Sequence, residues 1–442
     1  MENKPDPKVV EAYPTKDFFI TMLVKDIELI RAILDLVDNS VDGARRIRTE
    51  GNYGGLTVRI ELSAAQFKIT DNCGGIPVDV ARHYAFRFGR PSTMPKTLRS
   101  VGQFGVGMKR ALFKLGKHFK VESTTTASTF VIDVNVEDWK QDDKWQFDFK
   151  ELKEGRKTDL KKTGTTVLVT DLHDSVGQEF ALETFQSKLK REIEAAHQES
   201  MERGIAISLN KLPLQFRPNE LLNSDELRPA FEEFVPEIYK NKTPVTVKLF
   251  AGVGKSDPIA AGWSIYCNGR LVLESDQTLV TGWGEGGGKV IPKFHNQFAR
   301  FRGYIFFDSD DAELLPWNTT KTGVDSDSGL YKAVRQKMVA MMRPVIDFLN
   351  KLDAEKDKGG TDKPLTDIVA EAGAVRLAAV HQGSFHYAAR SAQRPTPPAE
   401  QKISYMKPTD RIKKVKAAMR VSTLKEVGEK TFDYYYVNEC ED

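Results

Sequence analysis

"AILDLVDNSVDGARR" (Ala32–Arg46) sets Asp35, Asp38, Asn39 and Asp42 among Leu34, Leu36, Val37 and Val41. At about 100° per residue the apolar positions, continued upstream by Ile27 and Ile30, make one broad helical face. Asp35, Asn39 and Asp42 fall at i, i+4 and i+7 on a narrow neighbouring face. The apolar face has to pack on a sheet, so the acidic stripe lies at the rim of a core. Charged groups are rarely enclosed there without a partner. Two readings stand open for the stripe. It is a solvated polar face, or it is a cavity wall where an asparagine oxygen beside carboxylates meets a hard cation such as magnesium.

Three further stretches bear on that choice. In "QFKITDNCGGIP" (Gln66–Pro77) a strand ends at Asp71, and Gly74 and Gly75 follow. Such an Asp can accept from an exocyclic amine while the glycines admit a flat ligand, but tight turns of this composition are common. In "SVGQFGVGMKRALFKLG" (Ser100–Gly116), Gly102, Gly105 and Gly107 precede a helix that starts near Met108. Freed N–H groups at a helix start favour an anion, and Lys109 and Arg110 add positive charge. The run is neither a Walker loop nor a G-x-G-x-x-G fingerprint, since Arg110 stands at the last glycine position. A plain flexible connection is the other reading. "KTGTTVLVTDL" (Lys162–Leu172) brings Gly164, Thr165 and Thr166 into a strand.

The remaining sequence bounds the class. A chain of 442 residues, 40% hydrophobic and 29% charged, suggests two or three soluble domains. A net charge of +3 names no partner. Cys73, Cys267 and Cys440 are too dispersed for a disulfide framework or metal cluster. No apolar run reaches the ~20 residues of a membrane span. The polar "MENKPDPKVVEAYP" lacks a signal-peptide core, so a cytoplasmic location is expected. Alternating helix and strand patterns run over residues 1–175. An α+β domain with strands such as "SIYCNGRLVL" is expected over 176–352, a polar linker over 353–401 and a small basic module over 402–442. Residues 401–430 hold nine Lys/Arg against three Asp/Glu, a balance suited to phosphate contacts or to a solvated helical pair. A strand at "KISYMKP", a helix, a capping box at Thr423 and Glu426, and a second helix together resemble a ribbon-helix-helix module.

In order and spacing, "DLVDNSVDGA", "DNCGGI", "GQFGVGM" and "GTTVLVTDL" resemble the four ATP-binding motifs of the GHKL superfamily of gyrase, heat-shock chaperones, histidine kinases and MutL. The lid motif is also similar to that of the MORC proteins. The resemblance implies a Bergerat α/β sandwich over 1–175 that binds ATP and Mg2+. The α+β domain that follows would then be transducer-like. Carried across, Asn39 would hold magnesium, Asp71 the adenine amine, Gly75 would lie close to the base and Thr165 would support Asp71. Gly102, Gly105, Gly107 and Lys109 would wrap the phosphates, and Asp42 would line the pocket near the base. Asp35 would replace the usual catalytic Glu. It is one methylene shorter, so slow ATP hydrolysis is expected. Cys73 replaces the first glycine of the adenine motif. Lys321, in "LLPWNTTKTG", is the candidate transducer lysine for the γ-phosphate, against a solvent-exposed loop lysine. The resemblance also implies a lid over about residues 86–108 and an N-terminal arm, with Phe18 and Phe19, that order in an ATP-dependent homodimer. The expected function is an ATP-gated dimeric clamp with DNA as client. The alternatives are a chaperone-like ATPase for protein clients and an ATP-switch subunit of a larger complex. A histidine kinase is disfavoured, since the seven histidines are scattered.

Overall fold

The computed structural model describes residues 14–25, 27–89, 98–102, 105–155, 157–239, 243–318, 320–356, 363–388 and 403–440. The chain divides into a body, residues 1–389, and a separate unit, residues 390–442. Parts of the expected lid, residues 90–97 and 103–104, lie outside the described residues, as do linker residues 357–362 and 389–401.

The body opens with α1 (Lys16–Lys25) and α2 (Leu29–Ile47). These are two helices, where the sequence reads as an arm running into one. The hairpin β1 (Thr57–Leu62) and β2 (Phe67–Asp71) follows, and Val58, Ile60 and Leu62 are buried on the period of two that a half-buried strand requires. After the single turn α3 (Val78–Val80) come α4 (Gly107–Leu115), β3 (Gly116–Thr124), β4 (Ser128–Asn135), α5 (Val136–Gln141), β5 (Phe149–Glu154) and β6 (Gly164–Leu172). Then follow α6 (Asp174–Ala181), α7 (Glu183–Ala196), α8 (Gln198–Glu202), β7 (Ala206–Leu209) and β8 (Leu212–Pro213). The eight strands make one mixed sheet, ordered β5-β4-β3-β6-β2-β1-β7-β8, with α2 packed against α4 and α7.

The sheet corrects the expected boundary at residue 175. β7 pairs in parallel with β1, Ala206 opposite Thr57 and Leu209 opposite Ile60, so the first domain reaches Pro213. The pattern of "IAISLN" identifies a strand but carries no information on which sheet edge it joins.

The second domain comprises β9 (Glu220–Asn223), β10 (Leu227–Arg228), β11 (Ala230–Phe234), β12 (Val245–Val253), β13 (Gly262–Cys267), β14 (Arg270–Asp276), β15 (Phe301–Ser309) and α9 (Gly329–Lys356). Its five-stranded sheet is ordered β11-β12-β15-β13-β14. Every residue of β13 is buried, and α9 covers the sheet with Val334, Met338, Met342, Val345 and Leu349. The expected linker is in part structured. α10 (Pro364–Glu371), β16 (Gly373–Arg376) and β17 (His386–Tyr387) fold back onto this domain, β16 pairing with β9 and β17 with β10. Glu355 fixes the return by accepting from the N–H groups of Leu365 and Thr366, both at 3.0 Å, at the start of α10.

The separate unit contains α11 (Thr409–Met419) and α12 (Leu424–Glu439). Thr423 and Glu426 form the expected capping box. Residues 403–408 form no strand, in contrast to the expectation for "KISYMKP": among the described residues they meet no partner strand, and a strand is stable only when paired. No described helix is long and apolar enough to cross a membrane.

Candidate nucleotide site

The end of β2 delivers Asp71 into a partly enclosed position. Its Oδ1 accepts from Cys73 N–H at 2.8 Å and Thr165 N–H at 3.2 Å, and its Oδ2 accepts from the Ser40 hydroxyl at 2.8 Å. Burial pushes its carboxyl above the ordinary range, against the pull of these donors. A carboxylate has about four acceptor directions, so one remains for a ligand N–H. The turn beyond is shaped by Gly75 (φ +68°), where a Cβ would lie 2.1 Å from the Thr124 carbonyl oxygen. Cys73 does not disturb the turn: the positive φ angles fall on Gly74 and Gly75, and the Cys73 side chain is buried.

Asn39, Ser40, Asp71, Gly75, Met108 and Thr165 line one cavity of about 60 Å³. Four residues expected to bind nucleotide, Asn39, Asp71, Gly75 and Thr165, therefore share a wall. Asn39 is exposed at it. Thr165 supports Asp71 through its backbone N–H, while its hydroxyl sits 3.4 Å from Ser123 Oγ. Ser40 was not singled out from the sequence, and its position one residue after Asn39 was the available signal.

Asp42 does not line this cavity. Its carboxylate accepts from the N–H groups of Val101, at 2.8 Å, and Gly102, at 2.7 Å, and so ties that segment to α2. Burial raises its carboxyl, partly offset by Arg45 at 3.5 Å. Lys109 donates to the carbonyls of Ala85, at 2.9 Å, and Gly105, and burial lowers its ammonium to about 7. Gly107 opens α4 directly against Asp35, where a Cβ would meet the carboxyl carbon at 3.0 Å.

The densest charge cluster joins the two domains. Lys321, on a loop of the second domain, is 6% exposed, which excludes the solvent-exposed reading. Its ammonium donates to Asp38 at 2.7 Å and to Asp35 at 3.1 Å. Arg270, at the start of β14, donates to Asp38 at 2.9 Å, and Arg110 of α4 to Asp35 at 2.7 Å. Burial opposes ionisation of Asp38, but Lys321 and Arg270 outweigh it and hold the carboxyl well below the usual range. Burial likewise opposes charge on Lys321, and Asp38 and Asp35 outweigh it, raising the ammonium. His197 lies 3.3 Å from Asp38 without the alignment of a hydrogen bond, and burial lowers its imidazole to about 3, so it is neutral at pH 7. Two carboxylates thus face three permanent cations, and the cluster carries one surplus positive charge.

Residues 27–165 match the family described as histidine kinase-, DNA gyrase B-, and HSP90-like ATPase. Residues 27–165 form a GHKL ATPase domain. No curated protein matches the chain. The ATPase domain is of an ATP-binding kind, and the chain's own residues suit that ligand. Asp71 keeps an acceptor direction for an amine. Asn39 offers an exposed amide oxygen, and magnesium takes such an oxygen beside phosphates and water. The match ends at Thr165, whereas the sheet of the ATPase domain continues through β7 and β8.

Proposed function

We propose that the chain is an ATP-driven conformational switch with slow ATPase activity, in which Lys321 senses the terminal phosphate. One observation supports this most: Lys321 reaches from the second domain into the first and is buried between Asp35 and Asp38. Asp71 would orient the base and Asn39 would hold magnesium, which supplies charge neutralisation at the phosphates when bound. Asp35 is the candidate general base for water. Both its oxygens are engaged, by Arg110 and Lys321. A polyphosphate competing for Lys321 would free the Asp35 oxygen that Lys321 holds and loosen the second domain's hold on α2. ATP would thereby couple to domain arrangement by its differential affinity for two states.

An ATP-dependent homodimeric clamp on DNA fits this reading. The hairpin of α11 and α12 buries no residue and carries Lys407, Arg411, Lys413, Lys414, Lys416 and Arg420 in or beside α11. A protein client is the second reading, favoured by exposed Phe432, Tyr434, Tyr435 and Tyr436 on α12. In such a homodimer Phe18, which is exposed, would be the arm's contact residue, since Phe19 packs edge-on to Phe88 at 4.7 Å and to Trp145 at 5.2 Å.

The test is nucleotide-dependent melting with phosphate release. Magnesium-ATP at 100 times its Kd should add about 2.7 kcal/mol to stability. Asn39→Ala should remove that gain. Asp35→Asn should keep it and lose turnover, and Lys321→Met should uncouple ATP from any change in oligomeric state. An unchanged ATP response in Asn39→Ala refutes the magnesium role. Absence of DNA binding at low salt, with or without ATP, removes DNA as client.

A further inference from the structure

A second cavity, of about 180 Å³, adjoins the C-terminal end of α2 and is built by both domains of the body. The first domain contributes Arg45 and Arg48 from the end of α2, Arg99 from the segment before Val101, and Arg203 beside α8. The second contributes Asn268, from the β13–β14 turn, with Asp308 and Asp310 at the end of β15. Glu199 of α8 completes the acidic side.

The four arginines are not equally occupied. Arg45 is spent on the backbone, donating to the carbonyls of Arg99, at 2.7 Å, and Asn268. Arg203 pairs with Glu199 at 2.5 Å. Arg99 reaches Asp310 only at 3.7 Å, and both side chains are more than half exposed, so this pair contributes little and is readily exchanged. Arg48 has no carboxylate within ion-pair distance among the described residues, and its Nε is enclosed without a hydrogen-bond partner. An enclosed, unsatisfied guanidinium nitrogen is costly and calls for an acceptor. Arg45 is offset by Asp42 at 3.5 Å, so Arg48, Arg99 and Arg203 face the three carboxyls of Glu199, Asp308 and Asp310, and burial raises that of Asp308 towards its neutral form. A planar guanidinium fork matches a phosphoryl group better than it matches chloride.

We propose that this cavity binds a small phosphate-bearing ligand, its phosphoryl group held by Arg48, Arg99 and Arg203 at the junction of the two domains. Asp308, and Glu199 where Arg203 leaves it an acceptor direction, would accept from a hydroxyl or amine of the same ligand. The site is separate from that of Asp71 and Asn39 and does not depend on their assignment. Because Arg99 belongs to the first domain and Asn268 to the second, occupancy ties the two together.

The experiment is calorimetric titration of the full chain with pyrophosphate, and with orthophosphate as second probe, in magnesium-free buffer. Wild type and Asp71→Asn should bind alike. Arg48→Gln should weaken binding at least tenfold, Arg48→Lys should restore part of it, and Arg99→Gln, at an exposed position that folding does not need, should also weaken it. Equal binding by wild type and Arg48→Gln overturns the proposal. So does the absence of saturable binding to wild type, or a loss in Asp71→Asn matching that in Arg48→Gln, which would put the anion in the nucleotide cavity.

Discussion

Breaking the bridge between Lys321 and Asp38 offers the sharpest check on how the domains are joined. At an effective dielectric of about 20, unit charges some 3 Å apart attract by roughly 5–6 kcal/mol before desolvation is subtracted. Removing one partner of a buried pair costs about 3–5 kcal/mol when the other is left stranded. Lys321→Met strands neither carboxylate, because Arg270 stays on Asp38 and Arg110 on Asp35. Its cost should therefore fall at about 2–3 kcal/mol. Asp38→Asn leaves Arg270 enclosed with no carboxylate and should cost about 3–5 kcal/mol. In a double-mutant cycle the two should interact by about 2 kcal/mol. The assay is equilibrium urea unfolding of wild type, both single variants and the double variant at pH 7. The same cycle has a pH signature. Asp38 is held below its unfolded value, so its contribution is present above about pH 4 and lost as pH falls through the folded value. Lys321 is raised, so its contribution is present below about pH 10 and lost as pH climbs further. The interaction should be flat between these limits. An interaction below about 0.5 kcal/mol at pH 7 would show that the bridge does not hold the domains and would refute the reasoning.

Other outcomes follow from single features. Gly75→Ala forces a Cβ to 2.1 Å from the Thr124 carbonyl at φ +68°, so it should cost about 2–3 kcal/mol or more and abolish ATP-dependent stabilisation, read by thermal melting. His197 is held neutral down to about pH 3, so the unfolded chain takes up its proton first. Stability should be full above about pH 6.5 and fall as the pH drops below it, and His197→Gln should flatten that fall in pH-dependent urea titrations. Of the three thiols, Cys440 alone is exposed, so native protein should label rapidly at one site, and Cys73, on the cavity wall, should react only with unfolding or opening.

The parts of the site that are contiguous in sequence were legible there. Asp71 and Gly75 share one turn, and Asn39 announces itself by the helix that carries it. Thr165 stands at a strand entry. Each needs only local geometry to be placed. Asp38 was not assigned a role, because at helical spacing it falls off the Asp35–Asn39–Asp42 stripe. His197 of the first domain and Lys321 and Arg270 of the second enclose it there, and the residue is 1% exposed. Arg270, 232 positions away, could not be matched to it by any periodicity. The quoted "CNGR" turn was the signal, read as a strand landmark and not as a charge donor. Asp42 is held by the Val101–Gly102 segment for a related reason: sequence spacing put it beside Asn39 on α2, and only the returning chain decided what it holds.

The clasp of β9 with β16 and β10 with β17 has a mechanical consequence. The segment that leaves α9 returns to the strands by which the chain enters the second domain, and Leu377 N–H donates to the Asn219 carbonyl beside that entry. Tension applied through residues beyond 388 is therefore met first by short strand pairs, ahead of the buried bridge at Lys321. Those pairs act as a fuse. They would peel before load reached the domain junction, and a chain cut at Leu352 would lose that protection while keeping every residue that lines the cavity at Asp71.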